Sequence, residues 1–305
     1  MNSDAATIPA SASALPDGIT DPNYKPPPGR LGNLTVPQQH ALEKLKKELK
    51  EEGYYIDGEL RMSDATMLRY LRARKFDVAK AKEMFINSEK WRKDFGVEDI
   101  VNNFEYPELS VVDKYYPQYY HRTDKDGRPV YIEVLGKLDL NALYAATTHE
   151  RMLKHLVLEY EKSFSDRMPA CTAAAGHPVE TYCTILDLRN VSLSSFYRVK
   201  DYISGASKIM QDHYPECMGK FYIINAPFMF STIWSFVKPW LDAVTVAKID
   251  ILGSAYKDKL LAQIDADNLP KEFGGNCECP GGCPLSDAGP WNVAQSETHG
   301  KVLSA

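Results

Sequence analysis

Histidines and cysteines are the side chains of this 305-residue chain that are best suited to chemistry, and neither type forms a known catalytic motif. The sequence contains no H-E-x-x-H or G-x-S-x-G motif, and no glycine-rich dinucleotide-binding motif follows a strand. Histidines outside such motifs are more often structural than catalytic. We expect a structural role for each histidine that could otherwise serve a serine or cysteine nucleophile, namely His121, His149, His155, His177 and His213. The residues therefore predict a protein that is not an enzyme.

Three cysteines near the end of the chain have the spacing C-x-C-x3-C: Cys277, Cys279 and Cys283. Thiolates bind zinc well, but a structural zinc site needs four ligands. The next candidate ligand along the chain is His299, in a polar segment that we expect to be loose. The sequence therefore predicts no metal site. Three further cysteines are spaced singly through predicted core elements, where cysteine behaves as a small apolar residue: Cys171, Cys183 and Cys217.

Charge and composition narrow the class of protein. A formal net charge of −5 argues against a general nucleic-acid binder. Residues 61–95 nevertheless carry ten Lys or Arg against five Asp or Glu, a local charge of +5, which could meet anionic lipid or phosphate. Residues 1–25 lack the basic start and apolar stretch of a signal peptide. We therefore expect a cytoplasmic protein.

The most unusual segment is 221–237, which is rich in aromatic residues and has no charge. Pro227 divides it into a predicted buried strand at 220–225 and a predicted helix at 229–237. The apolar residues of this helix spread over most of its circumference. Either the helix is buried on all sides, or it faces an apolar cavity on one side and a membrane surface on the other. The polar residues that interrupt the run make a membrane span the weaker interpretation.

The other elements form a regular pattern. Residues 1–36 are rich in Pro, Ala, Asp and Gly and are predicted to be a disordered leader. Helical signals fill 37–96 and predict a small all-helical unit. From there to 275, predicted strands alternate with helices, which predicts an α/β domain with a mainly parallel sheet. Residues 276–305 are a tail that contains Cys, Gly and Pro.

Several long motifs, in order along 37–275, resemble fungal phosphatidylinositol/phosphatidylcholine transfer proteins of the CRAL-TRIO lipid-binding family. They include LRYLRARKFDVAKAKEMF, ERMLKHLVLEYE, TILDLRNVSLSS, YPECMGKFYIINAPFMF and NLPKEFGG. The resemblance implies that the sheet floors an apolar lipid cavity and that the protein exchanges phospholipids without catalysis, with no cofactor besides bound lipid. It further implies a monomer, peripheral on Golgi or endosomal membranes, that supports phosphoinositide synthesis and secretory traffic and presents phosphatidylinositol to a kinase.

The same resemblance implies site residues at matching positions. The phosphatidylinositol headgroup is expected at Arg74, Lys75, Glu216, Thr245 and Lys248. The headgroup of a second lipid, phosphatidylcholine, is expected at Tyr120, Tyr131, Tyr160, Tyr182 and Thr184. A gate helix that opens at the membrane is expected to contain Phe228, Phe230, Ile233, Trp234 and Phe236.

The chain departs from the family pattern at two places near the second headgroup. Tyr182 stands where serine is usual, and Ser163-Phe164 stands where two valines are usual. A phenol in place of a small hydroxyl removes volume near the choline phosphate. Either phosphatidylcholine is held differently, or a sterol, squalene or haem takes its place.

Overall fold

The computed structural model describes residues 18–292 except 192 and 242, with only the backbone for 193–196. The chain divides into two compact units. The first contains the residues up to Glu98 together with Gly176–Pro178 and Asp212–Glu216, and the second contains the remainder.

The described residues of the first unit contain three α-helices, and side chains cap the starts of these helices. The helices are α1 (Val36–Glu51), α2 (Asp64–Ala73) and α3 (Val78–Phe95). Thr35 and Gln38 form a capping box at α1, and the side chains of Ser63 and Asp77 accept backbone N–H groups at the starts of α2 and α3. Gly96 ends α3 at a φ of 74°, which suits glycine.

The apolar faces of these helices form one core, which includes Leu45, Leu49, Leu68, Leu71 and Phe85. The segment of this unit that contains His213 contacts the core, where the Tyr70 hydroxyl donates to the His213 carbonyl at 3.1 Å. In the segment predicted as a disordered leader, residues 1–17 lie outside the described residues. From Gly18 onward the chain makes specific contacts, and the backbone N–H of Thr20 donates to the Gly176 carbonyl at 2.8 Å.

The second unit contains a five-stranded sheet in the order β1-β2-β3-β4-β5. The strands are β1 (Gln118–Thr123), β2 (Pro129–Val134), β3 (Tyr182–Asp187), β4 (Met218–Ile224) and β5 (Ile249–Ile251). Strands β1 and β2 are antiparallel, and all other pairs are parallel. The predicted α/β fold with a mainly parallel sheet is therefore confirmed.

Helices precede, separate and follow these strands. They are α4 (Val97–Asn103), α5 (Leu109–Tyr115), α6 (Leu140–Ala146), α7 (His149–Lys162), α8 (Met168–Ala175), α9 (Leu193–His213), α10 (Phe230–Val237), α11 (Ala243–Ala247) and α12 (Lys257–Gln263). A π-helical turn, Ser163–Arg167, joins α7 to α8. Among the described residues, no helix is long and apolar enough to cross a membrane.

The register of the sheet aligns one row of side chains across all five strands. Through paired Cα positions the row runs Tyr120, Tyr131, Thr184, Phe221 and Ile249. Side chains in one row share a face of the sheet. The alternate residues face the other way, into a core with α12 that includes Ile132, Ile185, Ile224, Leu260 and Ile264.

The described part of the tail, residues 276–292, packs on this second face rather than standing apart from the domain. Cys277, Cys279 and Cys283 are buried in the same core as Ile132. The backbone N–H of Arg122 in β1 donates to the Ala288 carbonyl at 2.5 Å. The final candidate ligand considered from sequence, His299, lies outside the described residues.

Candidate functional site

An apolar cavity of about 150 Å³ lies between the sheet, α9 and α10. The sheet contributes Leu186, Phe221 and Ile223, and other walls come from Ile203, Met210, Phe230, Ile233 and Trp234. Apart from Ser207, the described lining residues carry apolar side chains. An apolar cavity of this size favours hydrocarbon over water, because water there would lack hydrogen-bond partners.

Helix α10 has a buried side and an exposed side. Phe230 and Ile233 are buried against the cavity, whereas Phe236 is 48% exposed. Phe228, just before the helix, is fully exposed. The helix begins at Phe230, one residue later than predicted, after a turn in which the Phe230 N–H donates to the Pro227 carbonyl at 2.7 Å. Of the two interpretations drawn from the sequence, a helix buried on all sides does not fit these exposures.

The five residues expected to hold the second lipid lie close together. Tyr120, Tyr131 and Thr184 belong to the aligned row, and the rings of Tyr120 and Tyr131 are 5.0 Å apart. Tyr182 lies two residues before Thr184 on the same strand, and it interacts with Tyr160 of α7. Burial raises the pKa of Tyr120 to about 12 and that of Tyr131 well above the usual tyrosine range. These phenols therefore stay protonated at neutral pH and can donate hydrogen bonds.

The unusual Tyr182 connects this tyrosine group to the apolar cavity. Its side chain is only 5% exposed. Its hydroxyl donates to Sδ of Met210 at 3.6 Å, and Met210 lines the cavity. The Tyr182 ring thus occupies space next to the cavity.

Sequence analysis missed Arg167, which is buried beside the same tyrosines. Its guanidinium lies 4.1 Å from the centre of the Tyr120 ring, and its Nη2 donates to Glu159 at 2.7 Å. Arg167 Nε is buried and makes no hydrogen bond to any described residue. The Ser163 hydroxyl lies 2.8 Å from the Tyr120 hydroxyl. The spacing of Tyr160, Ser163 and Arg167, at i, i+3 and i+7, places them on one face of a helix and could have indicated Arg167 as a site residue.

Of the residues expected at the phosphatidylinositol headgroup, three belong to the first unit. Arg74 caps the end of α2, Lys75 is exposed, and Glu216 is 3.8 Å from Arg72. Lys75, Phe76 and Glu216 have φ values of 52°, 63° and 60°. Such left-handed conformations cost side-chain-bearing residues about 1–2 kcal/mol each, and strain of this kind concentrates at functional sites.

The other two, Thr245 and Lys248, belong to the second unit. The backbone N–H of Lys248 donates to the Thr245 carbonyl at 3.0 Å, and the Lys248 carbonyl accepts from the N–H of Phe221 at 3.1 Å. The backbone of Lys248 is thus fixed beside the strand that floors the cavity. Its joint role with the residues of the first unit remains a prediction.

Comparisons with known proteins agree with this architecture. The CRAL/TRIO domain model matches residues 113–275, and the CRAL/TRIO N-terminal domain model matches residues 41–87. The crystal structure of Sfh5 superposes with a TM-score of 0.66 over 89% of this chain and 99% of that one. At 16% identity, that likeness concerns the fold alone.

Sequence relatives are much closer. The Sec14 cytosolic factor of Schizosaccharomyces pombe is 55% identical over 280 residues, which is 92% of this chain and 96% of the relative. The phosphatidylinositol/phosphatidylcholine transfer protein SFH4 of Arabidopsis thaliana is 49% identical over 75% of this chain and 38% of its own length. The resemblance seen in the motifs is confirmed: the chain belongs to the CRAL/TRIO family.

Proposed function

We propose that this protein is a non-enzymatic phospholipid transfer protein that binds phosphatidylinositol and phosphatidylcholine and exchanges them between membranes. The observation that carries the proposal is the apolar cavity whose outer wall is a helix with exposed aromatic residues. A binding site for a water-soluble substrate would need convergent polar groups, which the described lining of this cavity does not provide. Relatives named as phosphatidylinositol/phosphatidylcholine transfer proteins support the choice of ligands.

Helix α10 is proposed as the gate. Phe228 and Phe236 can enter the interfacial layer of a membrane, which removes their apolar surface from water. Phe230 and Ile233, on the inner side, would leave the cavity wall as the helix moves. Membrane contact thus stabilises the open state at the place where lipid must pass.

The tyrosine group is proposed to hold the headgroup of phosphatidylcholine. Ring faces attract a quaternary ammonium, and protonated phenols donate to phosphate oxygens. Arg167 Nε, which is buried without a hydrogen bond to the described residues, supplies a charged donor for the phosphodiester. For phosphatidylinositol, the cations Arg74, Lys75 and Lys248 would neutralise phosphate, while Glu216 and Thr245 would bind inositol hydroxyls.

One observation favours a second candidate ligand. The Tyr182 ring lies beside the cavity, where a smaller side chain would leave room for a choline phosphate. A sterol, squalene or haem that needs less headgroup space is therefore the alternative to phosphatidylcholine.

The proposal includes a cellular setting. The protein would act as a cytoplasmic monomer, touch Golgi or endosomal membranes transiently, and present phosphatidylinositol to a kinase. Relatives named cytosolic factors are consistent with a cytoplasmic location.

The test combines ligand identification with transfer. Lipids extracted from the purified protein are identified by mass spectrometry, and transfer of labelled phosphatidylinositol and phosphatidylcholine between vesicles is measured. We expect both phospholipids in the extract and transfer of both. Phe228→Ser should slow transfer but leave the extracted lipids unchanged, whereas the exposed Leu285→Ser, away from the cavity, is the matched control. An extract without phospholipid, together with no transfer, would refute the proposal.

A further inference from the structure

Four buried side chains with metal-binding atoms meet on the second face of the sheet, away from the lipid cavity. They are His121 of β1 and Cys277, Cys279 and Cys283 of the tail. Their ligand atoms all lie within 4.8 Å of one another. The sequence argument counted only ligands that follow the cysteines along the chain, and so it missed a histidine 156 residues upstream of Cys277.

Two of the distances match those of a tetrahedral zinc site. With zinc–sulfur bonds of about 2.3 Å, tetrahedral geometry places two sulfur atoms about 3.8 Å apart. Sγ of Cys277 and Sγ of Cys279 are 3.7 Å apart, and Nε2 of His121 is 3.4 Å from Sγ of Cys277. Three thiolates and one imidazole form a soft ligand set that prefers zinc to magnesium or calcium.

The surroundings of His121 also fit a metal ligand. The Ser286 hydroxyl donates to the Cys283 carbonyl at 2.8 Å, so its oxygen is left to accept from Nδ1 of His121 at 3.3 Å. This arrangement places the proton on Nδ1 and directs the lone pair of Nε2 toward the sulfur atoms. In metal sites, a histidine ligand is commonly oriented by such a second hydrogen bond.

The backbone between the cysteines turns in the way that a compact ligand loop requires. Gly281 and Gly282 have φ values of 79° and 97°, which favour glycine. The N–H of Gly282 donates to the Cys279 carbonyl at 2.9 Å, closing the turn that returns Cys283 to the other two thiols.

From this geometry we propose that the chain binds one structural zinc ion through His121, Cys277, Cys279 and Cys283. Four protein ligands, all buried, leave no open position for substrate, so the ion is structural rather than catalytic. Its role is to fasten residues 277–283 to β1. Tyr120 precedes His121 in β1 and faces the opposite side of the sheet. The bond between zinc and His121 therefore also stabilises the strand that carries the lipid-facing tyrosine.

The test is metal analysis of the full chain, purified without metal-affinity resin and without added zinc. We expect about one zinc per chain by elemental mass spectrometry. Cys279→Ala and His121→Asn should each lower that ratio at least tenfold, while Cys171→Ala, which removes a buried thiol outside the cluster, should leave it unchanged. Cobalt bound in place of zinc should show the intense ligand-field bands of a tetrahedral thiolate site.

A measurement on the unaltered protein covers the case in which the ligand variants do not fold. Titration with a mercurial reagent should release zinc to a colorimetric indicator as the thiols react, and chelation under reducing conditions should lower the Tm by several degrees, with recovery on adding zinc. Folded protein that holds no stoichiometric zinc and has six titratable thiols, or a disulfide within the cluster, would overturn the proposal. Because these readouts do not involve lipid, they stand apart from the test of phospholipid transfer.

Discussion

Replacement of Arg167 by methionine tests whether the buried guanidinium serves the phospholipid or only the fold. Methionine retains much of the length and apolar volume but removes the charge. The change removes the pair with Glu159 at 2.7 Å and the contact with the Tyr120 ring at 4.1 Å. Loss of one member of a buried pair costs about 3–5 kcal/mol. Glu159 is partly exposed and keeps Lys162 at 3.7 Å, so we expect a smaller loss of about 2 kcal/mol, and the protein should still fold.

The functional loss follows from the hydrogen bond that Arg167 Nε would give to a phosphodiester. A hydrogen bond to a charged group is worth about 1.5–3 kcal/mol, which corresponds to a loss of roughly tenfold to a hundredfold in affinity. We therefore expect phosphatidylcholine transfer between vesicles to fall by at least about tenfold at lipid concentrations below saturation. Phosphatidylinositol transfer, which depends on other residues, should fall much less.

The matched control is Lys162→Met, which removes a neighbouring cation at the end of α7. Lys162 is exposed and also lies near Glu159, so its loss perturbs the ion pair but not the tyrosine group. Phosphatidylcholine transfer should remain near the original rate. If Arg167→Met transfers phosphatidylcholine as well as the original protein while its Tm falls as expected, Arg167 is a structural residue and the proposed phosphate contact is wrong.

Three further predictions address the remaining site residues and one half-buried acid. Lys75→Ala combined with Lys248→Ala should abolish phosphatidylinositol transfer because two cations are lost; original rates with normal melting would exclude these residues from the headgroup site. Tyr182→Ser should raise the ratio of phosphatidylcholine to phosphatidylinositol in the extracted lipids, since it frees volume; an unchanged ratio would mean that the ring does not restrict the site. Burial, with a smaller effect from a neighbouring carboxylate, raises the pKa of Asp113 to about 6. In the unfolded chain, aspartate titrates near pH 4, so the folded state holds this proton more tightly. The resulting contribution to folding stability is complete below about pH 4 and is lost as the pH rises through about 6. Asp113→Asn should therefore match the original protein at pH 4 and be more stable by roughly 1 kcal/mol at pH 7.5, after allowance for partial exposure; denaturant titrations showing equal stability at both values would contradict this.

Local signals in the sequence were sufficient for most helices and for the class of the sheet. Cap residues such as Ser63 and Asp77 satisfy backbone groups within their own turn, so their effect can be read from neighbouring residues. Strands separated by helices leave few arrangements other than parallel pairing. The edge strand β1 was not identified, because its residues, QYYHRT, show no clear alternation of apolar and polar types.

The site residues that the sequence did not predict were missed for one reason. They come together only through contacts between segments that are distant along the chain. His121 and Cys277 meet only after β1 and the tail pack on the same face of the sheet. Arg167 is the last residue of a π-helical turn, which shifts the direction of its side chain relative to a regular helix. Family resemblance does not depend on such contacts, and three of the positions that it indicated, Tyr120, Tyr131 and Thr184, lie in one row of the sheet. Their role in lipid binding stays a prediction.

The row of aligned side chains across the sheet is polar at one end and apolar at the other. Phenols and a hydroxyl occupy its first three strands, Tyr120, Tyr131 and Thr184, and the hydrocarbon side chains of Phe221 and Ile249 occupy the last two. Four strand spacings of about 4.8 Å make the row about 19 Å long. An amphiphile laid along it satisfies both ends in only one orientation, because the reverse would bury its polar group against hydrocarbon. We therefore expect the sheet to select ligands by the order of their polar and apolar parts as well as by their size.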